Sequence, residues 1–96
     1  MIQLSVLYPA GDDATFDHDY YRDHHVPLAA KLWNPASYQV ERGVDGPYAA
    51  ALHLRFDSNE AMGDAMGGPG TAELQADVPN YTNITPVLQI SEIVEA

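Results

Sequence analysis

The side chains of this chain best suited to chemistry near neutral pH are its four histidines and its tyrosines. Imidazole titrates in that range, and a neighbouring phenol can donate to or polarise an oxygen. His18, His24, His25 and His53, with Tyr20, Tyr21, Tyr38 and Tyr81, point to acid–base work on a carbonyl, phenol or enol. Against each singly stands a plainer role, a helical histidine bonded to a backbone carbonyl or to solvent. Metal binding does not fit. His24 and His25 are adjacent and point about 100° apart on a helix. No His-x-x-x-His pair exists, and His18 and His25 lie too far apart along a helix to share an ion. His53 alternates with Leu52 and Leu54 and shares its side with Ala49, Ala51 and Arg55, so small neighbours leave room for a ligand or a loosely packed subunit. Trp33, ahead of Asn34-Pro35, fits a cavity mouth or a subunit contact, with packing as the simpler role. Ser58 and Ser91 stand in no nucleophile-elbow pattern. The glycines at 67–70 follow a helical stretch instead of opening one, so they form a turn and not a phosphate cradle.

Positioning such groups takes a folded domain, and 96 residues suffice for one, spanning 1–96, with a thin core that a partner subunit would help. Hydrophobic residues make up 46%, which suits a globular chain. Four basic residues stand against 14 acidic ones, a net charge of −10. Lys31 is the only lysine, so nucleic acid and anionic membrane surfaces are excluded as partners. The absence of cysteine removes disulfides, thiolate metal sites and thiol chemistry. No apolar run reaches the roughly 18 residues of a membrane span, and the first residues do not read as a signal peptide. The expected location is the cytoplasm.

Residues 2–8 alternate, with Ile2, Leu4, Val6 and Tyr8 on one side, as a strand does. Thr15 reads as the N-cap of a helix whose stripe runs Phe16, Tyr20, His24, Leu28 and Leu32. Pro27 should kink or break that helix. Alternation returns at 37–42 and at 48–56. Asp57 with Glu60 reads as a capping box opening a second helix, residues 71–76 add further helical turns, and 85–94 reads as a last strand. The order βαββαβ predicts an α+β, ferredoxin-like fold: a four-stranded antiparallel sheet with the helices on one face. Its other face must be wet, covered by a partner or wrapped around a ligand.

Three segments carry a family resemblance: Phe16 with Tyr20-Tyr21-Arg22 and His25-Val26-Pro27-Leu28; Tyr38 opening the second strand; and Asp77-Val78-Pro79-Asn80-Tyr81-Thr82 followed by Pro86, Gln89 and Glu92. Together, in order and over nearly the whole chain, they resemble the EthD family of small dimeric α/β-barrel proteins. The resemblance implies sheets that pair across a two-fold axis into a barrel, and so a homodimer. It places the family's motif histidine at His25, its aromatic pair at Tyr20 and Tyr21, and its second-strand aromatic at Tyr38. One departure is Trp33-Asn34-Pro35, where the family commonly has a Pro-Gly turn. An ideal helical wheel favours His24 over His25 for the inward position; the resemblance and the expected break at Pro27 favour His25.

The function this implies is cofactor-independent chemistry of isomerase, cyclase or oxygenase type on a small cyclic, aromatic or lactone-like metabolite held in the barrel cavity. His25 would act as general acid–base, Tyr38 and His53 would orient or polarise an oxygen, and Tyr20, Tyr21 and Trp33 would bind the substrate. No cofactor is called for. The alternative is a non-catalytic binding or accessory protein of a degradation or polyketide pathway, for which His25 and His53 need not converge.

Overall fold

The computed structural model describes residues 1–96. Strand β1 (Ile2–Pro9) runs through the middle of the sheet, antiparallel to β3 (Tyr48–Phe56) on one side and to β4 (Val87–Glu92) on the other. Strand β2 (Ser37–Arg42) pairs with β3, giving the order β2-β3-β1-β4. This is the ferredoxin-like arrangement, with β2 and β4 as edges.

Period-two alternation sets the two faces. Leu4, Val6 and Tyr8 of β1 sit opposite Leu54, Leu52 and Ala50 of β3. All six are buried, and they meet Tyr21, Val26, Ala29, Met62 and Leu74 from the helical layer. The other face carries Gln3, Ser5 and Leu7, opposite Arg55, His53 and Ala51. It has no helical cover.

The first helical segment is composite. A turn, α1 (His18–Tyr20), passes into a five-residue π-helical turn (Tyr21–His25) and then into α2 (Val26–Trp33). Pro27 has no N–H to give the carbonyl of Asp23, and the chain meets this defect with a wider turn in which the Val26 N–H bonds to the Tyr21 carbonyl. The disruption foreseen at Pro27 therefore lies one turn upstream, as an expansion. It also moves the inward stripe, because a π turn adds a residue per revolution. Tyr21, His25, Val26 and Ala29 are buried, while His24 is exposed.

The cap is Asp17, not Thr15: its carboxylate accepts the Tyr20 N–H at 3.0 Å. Thr15 is held elsewhere, its N–H donating to Asn83 and its carbonyl accepting from the Thr82 hydroxyl, beside a bridge between Phe16 and Thr82. Likewise Ser58, one residue after the expected Asp57, caps α3 (Asn59–Met66) through the Ala61 N–H. Helix α4 (Gly70–Asp77) follows as two full turns, so the turn at 67–70 opens a helix as well as ending one, contrary to the sequence expectation; α4 then runs into a 3₁₀ turn, Val78–Asn80. At its start a Cβ on Gly70 would lie 2.9 Å from the Leu32 side chain, so glycine lets α4 close onto α2. Pro86 cannot donate to a ladder, and β4 accordingly begins at Val87, later than the expected 85. No helix is long and apolar enough to cross a membrane.

Candidate functional site

The π turn points His25 into the layer between helices and sheet, where only 6% of the residue remains exposed. Its ring stacks on Tyr21, with centroids 5.4 Å apart and planes at 15°, and leans on Tyr81 at 4.6 Å. Nδ1 lies 2.9 Å from Oδ2 of Asp77, the last residue of α4. The other oxygen of that carboxylate accepts from the Tyr20 hydroxyl at 2.7 Å and from the Asn80 amide at 2.9 Å.

The charges follow from these bonds. Burial works against the Asp77 carboxylate, but donation from Asn80, Tyr20 and His25 outweighs it and holds the acid below its ordinary range. Burial pushes His25 below its ordinary value, and Asp77 offsets only part of that. At neutral pH the pair is therefore a neutral imidazole beside a carboxylate. An ionised carboxylate only accepts, so the imidazole proton is on Nδ1. Nε2 keeps its lone pair and has no protein partner. It is a base.

A cavity of about 410 Å³ opens beside this pair, lined by His25 with Tyr8, Trp33, Leu74, Val78 and Leu88 among others. Its wall is mostly apolar, and the polar groups at its edge are few. The hydroxyls of Tyr8 and Tyr81 bond to each other at 2.7 Å. Trp33 donates its indole N–H to Thr71 at 3.0 Å, and Thr71 passes a bond to the Met66 carbonyl, tying α2 to the start of α4 at the cavity rim. The Tyr21 hydroxyl, deep behind His25, has no hydrogen-bond partner, and burial pushes that phenol far up.

The residues singled out from the sequence thus divide. His25 and Trp33 line one cavity. Tyr20 and Tyr21 stand behind His25, one through Asp77 and one by stacking. His53 lies on the opposite side of the sheet, its Nδ1 2.8 Å from the Ser5 hydroxyl and its Nε2 2.9 Å from Glu41. One substrate cannot touch both histidines, because the sheet separates them. Tyr38 is at the β2 edge, in register with Leu54, and does not reach His25 within this chain. His25, expected to face a chamber inside a barrel, meets the helix–sheet layer and not the uncovered sheet face. That face has a separate groove of about 380 Å³, lined by Gln3, Ser37, Gln39, His53 and Arg55. No three His, Asp or Glu side chains gather where they could hold one metal ion.

Residue-type reasoning did not find Asp77 or Tyr8. The only sequence mark on Asp77 was its place at the head of the 77–82 segment that carries the family resemblance.

No family model matches the chain, and no curated protein matches it. Among solved structures it is similar to an EthD-like protein from Ralstonia eutropha, at 40% identity over 98% of this chain and 92% of that one, with a TM-score of 0.90. An ethyl tert-butyl ether D (EthD) family protein from Bacillus halodurans shares 21% identity over 98% and 99% of the two chains, with a TM-score of 0.78. A dimeric ferredoxin-like protein of unknown function from Bacteroides fragilis shares 13% over 96% and 95%, with a TM-score of 0.62, and so the fold alone.

Proposed function

Given that this chain belongs to the EthD family, we propose that it performs cofactor-independent acid–base chemistry on a small cyclic or aromatic metabolite in the helix-side cavity. The observation that carries this is the Asp77–His25 pair at 2.9 Å, with His25 lining an apolar cavity and its Nε2 bonded to no protein group. Isomerisation, cyclisation and cofactor-free oxygenation of such rings all begin by removing a proton from carbon or oxygen next to a carbonyl or phenol. A positioned base accelerates that step by about 10²- to 10⁴-fold. The apolar wall favours the uncharged substrate and keeps water from the enolate, while Trp33 at the rim offers aromatic surface to a ring.

The working unit of this proposal is a homodimer joined through the uncovered sheet face. Support comes from the dimeric ferredoxin-like neighbour and from the polar Ser5–His53–Glu41 chain, which lies on that face without helical cover. A second reading, a binding or accessory protein without catalysis, is favoured by the separation of His25 from His53.

Deuterium exchange separates the two readings. A panel of cyclic ketones, lactones and phenols is incubated with the protein in D₂O, and label uptake is followed by NMR. The acid–base reading expects uptake into at least one ring and a loss of at least about 100-fold in His25→Ala. Equal uptake by both proteins, or binding with no uptake across the panel, overturns it in favour of the second.

A further inference from the structure

The cavity has a side that this chain does not close. Leu88 lines it and is 51% exposed, and Ile90 beside it is 54% exposed. Leu88 and Ile90 pair with Val6 and Leu4, so they lie on the helix-facing side of β4, beyond the reach of the helices. The other edge repeats this pattern. Tyr38 and Val40 of β2 pair with Leu54 and Leu52, lie on the same helix-facing side, and are 49% and 39% exposed.

Both edge strands therefore carry apolar side chains and unpaired backbone groups, and neither contains the Lys or Pro that usually guards an edge. A two-fold axis that sets β2 of one copy beside β4 of another does so twice. Eight strands then close, and no edge remains. The area suffices. With extents of 37 × 34 × 19 Å the protein is a slab, whose broad face offers on the order of 1,000 Å², above the roughly 800 Å² per partner of a stable interface. Charge selects the same face. The helices expose Asp19, Asp23, Glu60, Asp64 and Glu73 against Arg22 and Lys31, whereas the open sheet face balances Glu41 with Arg55. A second copy is repelled by the first layer and not by the second.

We propose that the His25 cavity is a two-chain site, in which Tyr38 of the partner subunit lies against Leu88 and covers the open side. This rests on the cavity and homodimer readings above and adds the residue that joins them. It gives Tyr38 a place at the substrate that it lacks within its own chain.

The chain has no cysteine, so the geometry can be tested with Tyr38→Cys/Leu88→Cys. Within one chain the two positions are three strand spacings apart, about 14 Å, too far for a disulfide. Oxidation should convert the double variant to a covalent dimer on a non-reducing gel, and neither single variant should cross-link. In a second arm, Tyr38→Ser is titrated with the neutral fluorophore prodan and should bind it about three- to tenfold more weakly than wild type, with the dimer intact. A sedimenting dimer that does not cross-link overturns the edge pairing but leaves the homodimer standing. A monomer overturns both. Cross-linking with unchanged prodan affinity overturns the shared cavity, as does a wild-type dimer that binds no prodan. None of these outcomes depends on deuterium uptake, so the acid–base reading can fail separately.

Discussion

Replacing Asp77 by Asn changes one atom and should reverse the direction in which His25 works. In the native pair Oδ2 accepts from Nδ1, and Oδ1 serves Tyr20 and Asn80. An asparagine that keeps its oxygen toward those two donors must turn its NH₂ toward His25. Two donors then face each other unless the imidazole moves its proton to Nε2, which puts an N–H at the cavity where a lone pair had been. The base becomes a donor. Stability falls as well, because a charge-assisted bond in a site only 15% exposed is replaced by a neutral one; about 1 to 2 kcal/mol is expected. In a chain of this length that lowers Tm by roughly 4 to 8 °C for each kcal/mol. The decisive assay is two-dimensional ¹⁵N NMR of the imidazole nitrogens, which reads the tautomer directly. Wild type should show a protonated Nδ1, and Asp77→Asn a protonated Nε2. The midpoint of His25 should also shift. Burial already lowers it, Asp77 opposes burial, and removing the carboxylate leaves burial unopposed. A midpoint that rises in Asp77→Asn, or a tautomer that stays unchanged, refutes the reasoning.

Three further outcomes are expected. Tyr21→Phe removes a buried hydroxyl that bonds to nothing, so urea unfolding should show it as stable as wild type or up to about 1 kcal/mol more so. The pH dependence has a defined sign: His25 titrates in the folded chain below its ordinary 6.5, so its contribution is complete above that value and is lost as pH falls through the lowered one. The urea midpoint should therefore drop between pH 7.5 and 5, and less steeply in His25→Phe. Finally, a net charge of −10 makes the folded chain repel itself, and raising KCl from 10 mM to 0.5 M should raise Tm in a thermal melt. A Tm that falls or stays level over that range would contradict this.

Strand periodicity was legible because it depends on nearest neighbours: 37–42 and 48–56 alternate cleanly and are β2 and β3. The faces followed from the same pattern, which put His53 opposite Leu52 and Leu54. The inward side of the first helix was not legible. A wheel of 3.6 residues per turn assumes an unbroken helix, and the π turn at 21–25 exchanges exposed His24 for buried His25. The first cap slipped by two residues because Thr15 is claimed by Asn83 and Thr82, contacts distant in sequence. Asp77 was hidden for the same reason. It meets His25 across 52 residues of chain, and no local pattern marks an acid at a helix end as the orienter of a distant imidazole.

The extra residue in the π turn carries a consequence for how such a protein can diverge. A chain shortened by one anywhere from 21 to 25 would regain ordinary winding and swing a different side chain over the chamber, with no substitution there at all. Which imidazole faces the cavity is thus set by a count of residues as much as by their identity, and a single codon gained or lost can change the group presented there on an unchanged scaffold.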